Sequence, residues 1–557
     1  MEVARLLATA AANLENAAHT LTPADVPMAV TGESVTASPA PSVTPTAVTK
    51  TRAVQRAAAG GFAPTAEQEA IVEAAVSGGH LVIEAGAGTG KTSTLALISS
   101  ALDTRRGLYL AFNRAIAAEA RRKMPGTVTS STAHSLAYRA VGSRYRRRLD
   151  SSRVPAAKAA AHLGITGDLA VGDVRLSPAR QATMIMQMVG RFCHSDDRDV
   201  ALHHLPVVHG ITGQARTYLA GQLLPMAWRA WEDLQQTEGV LRFEHDHYLK
   251  MWALTDPDLG ADYIMFDEAQ DANPVLSGLI QRQRSAQQIV VGDSCQAIYG
   301  WRGAVDALAT WPADTHLYLS RSFRFGAAIA AEANAWLSEL NARLRLEGAE
   351  TKTSRVGPLG GTADVVLCRT NAMALGRAMD VMAAGRRAAL VGGGTAIGRL
   401  AEAARDLQAG KATSHPELFA FKTWGEVLTY VEEEREAAGE LATLVRLIED
   451  HGPDHVINAT RRLSDEKSAD VVCSTAHKAK GREWATVEIA DDFREPKPDP
   501  MTGEPGAVPR ADAMLAYVAV TRAMDHLDNG GLAWIHRRTR GEDVVRAADR
   551  AYGFEGI

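Results

Sequence analysis

The sequence of 557 residues is 46% hydrophobic and carries 60 Lys plus Arg against 65 Asp plus Glu, a formal charge of −5. Its apolar fraction suffices for several packed domains at roughly 150 residues each, and the near-balanced charge excludes a protein held to nucleic acid by bulk positive charge, leaving local grooves as the only route to such contacts. Four scattered cysteines without a CxxC pair exclude a disulfide framework, no apolar run approaches a membrane span, and the start lacks a secretory pattern, so the chain reads as cytoplasmic.

Residues 1–60 contain no Phe, Trp or Tyr and are rich in Pro, Ser, Thr, Ala and Val. Such a segment cannot bury enough surface to offset its ordering entropy and is expected to be a flexible low-complexity tail. From residue 61 short apolar runs recur: HLVIEAG, GLYLAFN, YIMFDEA, QIVVGD, HLYLS, DVVLCRT, AALVGG, DVVCST and TVEIADD. Helix-patterned stretches lie between many of them, which predicts an α/β fold with parallel sheets covered on both faces. Residues 139–254 and 396–467 break this rhythm and read as mainly helical insertions.

The first run opens HLVIEAGAGTGKTSTL, in the order strand, tight glycine turn, helix. Glycines there let backbone N–H groups converge on phosphates. Gly88 and Gly90 would shape that cradle, Lys91 would reach the β- and γ-phosphates, and Thr92 would ligate Mg²⁺.

Three weaker signals follow in the first insertion. SRYRRRLD (143–150) could track a phosphate backbone. CHSDDRDVALHHLPVVHG holds Cys193, His194, His203, His204 and His209, but fits no tight zinc spacing, and adjacent His203 and His204 would point apart on a helix. FEHDHYLKMW (243–252) reads as a helix closing the insertion, and equally resembles a segment that lies near the nucleic-acid groove in a known family.

YIMFDEAQD ends a buried strand in Asp267 and Glu268. At the carboxyl edge of a sheet, Asp267 would hold the metal shell, and Glu268 would orient and deprotonate an attacking water. Hydrolysis of a nucleoside triphosphate follows as the reaction. QIVVGDSCQAIYGWRGA then places Gln296, a sensor for the γ-phosphate, within a few residues of Tyr299, Trp301 and Arg302. Exposed aromatics stack on unpaired bases at roughly 1–3 kcal/mol each, so this proximity suggests hydrolysis coupled to a single strand. VGGGTAIG (391–398) reads as a hinge into the second insertion.

These motifs together resemble a superfamily 1 DNA helicase of the UvrD/Rep/PcrA type, and SFRFG with HKAKG points to the F-box DNA helicase-like branch. No F-box is read near the N-terminus, so ubiquitin-ligase function is not carried over. FAPTAEQEAIV resembles the family's adenine-reading segment through Gln68. AGAGTGKT is its phosphate loop, which adds Thr89 and Ser93 to the nucleotide contacts. LAFNRAIAAEA and TAHSLAYR resemble the DNA-groove segments, through Phe112, Asn113, Thr132 and His134. SFRFG carries Arg324 and YVAVTRAMDHL carries Arg522, two arginines implied at the γ-phosphate. STAHKAKGREW implies DNA contacts from Thr475 and His477, and a ribose contact from Glu483.

The resemblance covers residues 62 to 530 and implies two RecA-like P-loop NTPase domains. The first would comprise 61–138 and 255–318, the second 319–395 and 468–557, with 139–254 and 396–467 as their insertions. It further implies ATP and Mg²⁺ as cofactors, single-stranded and tailed duplex DNA as partners, a nucleoid-associated location and 3′→5′ movement in repair, recombination or replication. A rival reading is a DNA-stimulated NTPase switch that regulates a protein partner, such as a separate nuclease in a defence system or a recombination factor. The short second insertion, about 70 residues, motivates that rival.

Overall fold

A computed structural model of the chain describes residues 63–538 apart from 152–153, 173, 209–210, 301–302, 414, 416, 419–420, 434, 500, 502 and 504. The expected N-terminal tail, and Trp301 and Arg302 of the expected base platform, lie outside the described residues.

The first lobe begins with the helix Ala66–Ser77. Thr65 caps it, accepting from the Gln68 N–H, while the Gln68 side chain accepts from the Thr65 N–H; this reciprocal box satisfies two otherwise unpaired donors. Strands β1 (Leu81–Ala85), β2 (Gly107–Leu110) and β3 (Val128–Ser131) follow, each leading into a helix. The first insertion contains a short antiparallel ribbon, β4 (Leu169–Val171) with β5 (Val174–Leu176), and the long helices Pro178–His194 and Gly213–Gln235. These pack with helices Ala133–Ala140 and His245–Ala253 around a core that includes Ile185, Met188, Phe192, Leu219 and Leu223.

The chain then returns to the first sheet with β6 (Tyr263–Phe266), β7 (Gln287–Gly292) and β8 (Thr315–Leu319). All six strands are parallel, in the order β3-β2-β6-β7-β1-β8. Strands β2, β6 and β7 are buried at every position, which is why they read as unbroken apolar runs rather than alternating ones. Parallel pairing also brings the carboxyl ends of β1, β6 and β7 to one edge, where ligands bind in open α/β sheets.

Next, β9 (Arg321–Ser322) pairs with β10 (Glu347–Gly348) beside the helix Ala327–Glu339. The second lobe is another six-stranded parallel sheet, built from β11 (Arg355–Val356), β12 (Val365–Cys368), β13 (Ala388–Leu390), β14 (Val471–Thr475), β15 (Trp484–Ile489) and β16 (Ala523–Asp528). Its order is β11-β16-β15-β12-β14-β13. Helices Thr395–Gln408, Trp424–Glu433, Arg435–His451 and Pro453–Arg462 form the second insertion. They share a core with β12, β13 and β14 through Leu400, Ile448 and Val456. Gly392 and Gly393, at φ +81° and +72°, make the turn that leads from β13 into that insertion.

Candidate functional site

The glycine turn after β1 wraps the start of the helix Lys91–Ala101, whose cap, Gly90, sits at φ +81°. Gly88 is also left-handed, at φ +74°, and a Cβ there would lie 2.6 Å from the Arg324 Cβ and 2.7 Å from the Ser322 Oγ. Only glycine meets both demands. The segment after β8 buttresses the turn: the Phe323 N–H donates to the Gly88 carbonyl at 2.8 Å, and the Ser322 hydroxyl to that of Ala87 at 2.9 Å. Thr89 Oγ1 donates to the Gly86 carbonyl. Lys91 Nζ donates to the carbonyls of Ala85 at 2.8 Å and Gly86 at 3.2 Å.

This turn forms one wall of a cleft of about 400 Å³, which Thr92, Ser93, Gln296, Arg324 and Arg522 also line. Backbone donors at a helix N-terminus beside a lysine suit a polyphosphate. Gln68 is placed differently. It is fully buried behind the turn, with its Nε2 donating to Thr94 Oγ1 at 3.1 Å and its Oε1 accepting from Thr65, and it does not line the cleft.

Asp267 and Glu268 follow β6. Asp267 Oδ2 accepts a short bond from the Tyr109 hydroxyl, and Oδ1 accepts from the Glu268 N–H at 3.0 Å. Burial, then the Glu268 charge, pushes the Asp267 carboxyl up. Burial works on Glu268 as well, but Lys91, Lys480, the Gln270 hydrogen bond and Arg522 together outweigh it and hold this carboxylate below its ordinary range. The pair therefore divides into a carboxyl with raised proton affinity and one kept charged, as in sites where two acids play different parts. Glu268 adopts φ +55°, a conformation that costs a non-glycine residue of order 1 kcal/mol and collects at functional sites. Thr92 lines the first cleft together with Glu268 and Asp271, and the Lys91 ammonium bears on the carboxylates of Asp267 and Glu268; hard oxygen donors of this kind would suit Mg²⁺.

Gln296 lies at the end of the one-turn helix Ser294–Gln296, which Asp293 caps. Its Nε2 donates to Asp293 Oδ2 at 2.6 Å, and its Oε1 accepts from Arg522 NH2 of the second lobe at 3.3 Å. Arg522 is 2% exposed. Burial and the charge of Arg324 push its guanidinium down to about 9, so it stays protonated at neutral pH. Arg324 Nε donates to Glu483 Oε2 at 2.7 Å, and its NH1 to the Thr521 carbonyl at 2.9 Å. Lys91, Gln296, Arg324 and Arg522, far apart in sequence, thus face one cleft.

A second cavity of about 450 Å³ adjoins the first and is lined by Phe112, Thr132, His134, Asp267, Glu268 and Tyr299, among others. Phe112 is 49% exposed and stacks on Tyr299, with ring centroids 6.2 Å apart and planes within 7°. Asn113, Thr132 and Thr475 share one local design: each ends a strand or its turn and caps the next helix, accepting from the N–H of Ile116, Ser135 and Lys478 respectively. His134 Nε2 lies 3.0 Å from Asp246 Oδ1 of the helix His245–Ala253, so that helix packs in the insertion and also lines the second cavity. The His477 carbonyl accepts from the Tyr299 hydroxyl at 3.3 Å, which joins the two lobes at this edge.

The reading of the two histidines is corrected, and in the basic run the structure sets buried Arg148 apart from exposed Arg144, Arg146 and Arg147. His203 and His204 do not diverge; in the one-turn helix Leu202–His204 both rings converge on Asp197 Oδ2, at 2.8 and 2.9 Å. His204 Nδ1 accepts from the Ala201 N–H, which puts the proton of the neutral ring on Nε2, facing Asp197 as a donor rather than a metal-binding lone pair. In the basic run, Arg148 is buried. It donates to carbonyls of Asp233, Leu234, Gln236 and Leu241 and stacks on Phe243, pinning the end of the helix Gly213–Gln235 instead of reaching a backbone phosphate.

Sequence reasoning passed over Tyr109, Gln270, Asp271, Asp293, Lys480 and Tyr517. All but Tyr109 lie inside motifs that were singled out, but their partners come from other strands, and spacing along the chain does not reveal those. Asp293 receives the Gln296 amide, and Gln270 receives the Asp293 N–H at 3.1 Å while donating a short bond to Glu268.

Comparison with known proteins gives a consistent assignment. Residues 68–302 match the family model described as an AAA domain. The chain is 29% identical over 522 residues to "F-box DNA helicase protein 1" of Schizosaccharomyces pombe (strain 972 / ATCC 24843), covering 83% of this chain and 57% of that protein. It is 30% identical over 502 residues to "F-box DNA helicase 1" of Gallus gallus, covering 82% of this chain and 48% of that protein. The chain therefore spans about half the length of the curated relatives it matches. No helix among the described residues is long and apolar enough to cross a membrane.

Proposed function

We propose that this chain, which belongs to the superfamily 1 helicases in the branch of the F-box DNA helicases, is an ATP hydrolase that moves along single-stranded DNA and unwinds tailed duplexes. The observation that carries the reading is the contact of Gln296 with Arg522 across the cleft that Lys91 lines. A sensor and a cation from opposite lobes meet where a γ-phosphate would lie.

In this mechanism Lys91 and the N–H groups of the glycine turn bind the phosphates, and Thr92 and Asp267 would hold Mg²⁺. Charge neutralisation on the phosphate oxygens is the chemistry such a metal would supply when bound. Glu268, kept charged by Lys91 and Lys480, orients the attacking water and takes its proton. Arg324 and Arg522 stabilise charge on the γ-phosphate, as arginine fingers do, and only with the lobes closed together. Loss of the γ-phosphate removes their common ligand and lets the lobes part. Phe112 and Tyr299 of the first lobe, with Thr475 and His477 of the second, grip the strand on either side, so each opening and closing advances it. The relatives' names support DNA as the track, and 3′→5′ movement, in DNA repair, recombination or replication, is the direction the family resemblance favours.

ATP hydrolysis measured with and without single-stranded DNA tests the core of the proposal, and strand displacement on 3′- and 5′-tailed duplexes tests its direction. Strong stimulation with unwinding of the 3′-tailed substrate is expected. Hydrolysis indifferent to DNA would overturn the motor, and stimulation without displacement would favour the regulatory switch.

A further inference from the structure

Tyr517 belongs to the second-lobe helix Arg510–Val520, yet its phenol ends inside the first lobe's nucleotide machinery. The side chain is fully buried. Its Oη accepts from the Ala87 N–H of the glycine turn at 3.3 Å and lies 3.1 Å from Asp293 Oδ2. A phenol has one proton; with the Ala87 N–H arriving as a donor, that proton goes to Asp293. The same Asp293 oxygen accepts the Gln296 amide at 2.6 Å, and the far side of that amide accepts from Arg522. One continuous chain of bonds therefore runs from Ala87 through Tyr517, Asp293 and Gln296 to Arg522. It leaves the first lobe, returns to it and leaves again.

We infer that the Tyr517 hydroxyl is a positioning group for hydrolysis, setting the helix that leads into Arg522 against the phosphate turn. The inference rests on the proposed ATP hydrolysis at this cleft. Tyr517 stands five residues before Arg522, so an anchor at its hydroxyl fixes both the height and the rotation of the helix end from which the guanidinium projects. The Arg522 head adds little freedom of its own: Nε donates to the Val518 carbonyl and NH2 to Thr521 Oγ1. Where the guanidinium sits relative to the cleft is thus decided mainly by where the helix sits, and the phenol is the helix's buried polar contact with the phosphate turn. A displacement of about 1 Å in a charge-stabilising group can cost roughly 100-fold in rate.

Tyr517→Phe keeps the ring and removes only the bonds. The steady-state hydrolysis of this variant, with and without single-stranded DNA, is expected to show kcat lowered roughly tenfold, the size expected when a hydrogen bond to a charged group is lost, with KM for ATP within about twofold of wild type. Combined with Gln296→Ala, the loss is expected to be less than the product of the two single losses, because both act through Asp293. A purely structural ring would leave kcat unchanged in Tyr517→Phe, and that result, or strictly multiplicative losses, overturns the relay while leaving the ATPase reading intact. Wild-type protein without ATP hydrolysis would remove both. Should Tyr517→Phe fail to fold, Asp293→Asn reads the same link from its other end, with the same drop in kcat expected and an unchanged kcat again overturning it.

Discussion

Lys480 of the second lobe inserts its ammonium between the carboxylate of Asp271 and the carbonyl of Gln296, both on the first lobe and both at 2.5 Å. The Lys480 and Asp271 side chains are 9% and 2% exposed, and the ammonium also lies 5.1 Å from the centre of the Tyr299 ring. One cation thus bears on an acid beside Asp267 and Glu268, the backbone of Gln296 and the ring of Tyr299.

Lys480→Ala strands a buried carboxylate, which typically costs about 3–5 kcal/mol when one partner of a buried pair is removed. Burial already pushes Asp271 up to about 6, and without the ammonium its proton affinity rises further. Protonation then relieves the defect. The destabilisation read from urea melts is therefore expected to be larger at pH 8 than at pH 5.5, and a pH-independent loss would contradict the pairing.

Arg522→Lys keeps a positive charge but loses the planar fork that bonds Val518, Thr521 and Gln296 at once. A drop in kcat on the order of 10³-fold is expected, the lower end for an arginine finger, with nucleotide affinity nearly kept. Lys91→Ala is expected to abolish turnover through the phosphate side of the same cleft. Equilibrium binding of a fluorescent nucleotide beside single-turnover rates separates the two defects.

Phe112→Ala removes an exposed ring, shared by the two adjoining cavities, from the stacked pair with Tyr299. Base stacking contributes roughly 1–3 kcal/mol per ring, so the concentration of single-stranded DNA needed for half-maximal stimulation is expected to rise about tenfold or more. KM for ATP is expected to stay put. Unchanged DNA dependence would place the strand elsewhere.

Glu84, on β1, accepts from both the backbone and the hydroxyl of Ser294, just before the sensor. Burial and the nearby Asp293 charge push its carboxyl up to about 7 from an ordinary 4.5. Between those values the folded protein binds more protons than the unfolded chain, so stability from this group is full below about 4.5 and is lost as pH rises towards 7. The loss is on the order of 3 kcal/mol. Glu84→Gln is expected to flatten the dependence of thermal stability on pH across 5–7.5, whereas an unchanged profile would mean that Glu84 does not titrate there.

Nine apolar runs read from the sequence all correspond to strands of the two sheets; most of these strands are buried on both faces and leave an unbroken signature, while β8 and β15 are partly exposed yet keep enough apolar residues to be read. Strands β3, β11 and β16 were passed over for the converse reason. VTSS in β3 is polar, β11 spans only Arg355–Val356, and β16 alternates as AMDHLD. Within the site, groups fixed by a single loop were legible: Lys91, Thr92, Asp267 and Glu268 each follow a strand. Gln68 shows the limit. Its motif was visible, but one amide N–H and one carbonyl lone pair are engaged by Thr94 and Thr65 in three dimensions, and no spacing rule reports such partners. Likewise, Arg148 looked like surface charge because nothing local announces the four carbonyls that gather around it.

The ion pair of Arg324 with Glu483 has a kinetic consequence. As long as the guanidinium is held by that carboxylate, an arriving triphosphate meets the glycine turn first and recruits Arg324 only by displacing Glu483. Nucleotide capture should then proceed as a fast, concentration-dependent encounter followed by a slower unimolecular rearrangement, visible as two exponentials in stopped-flow fluorescence. Raising ionic strength, which loosens a partly exposed pair, should quicken the second phase while weakening the first. The molecule would carry its own delay between seizing fuel and committing to burn it.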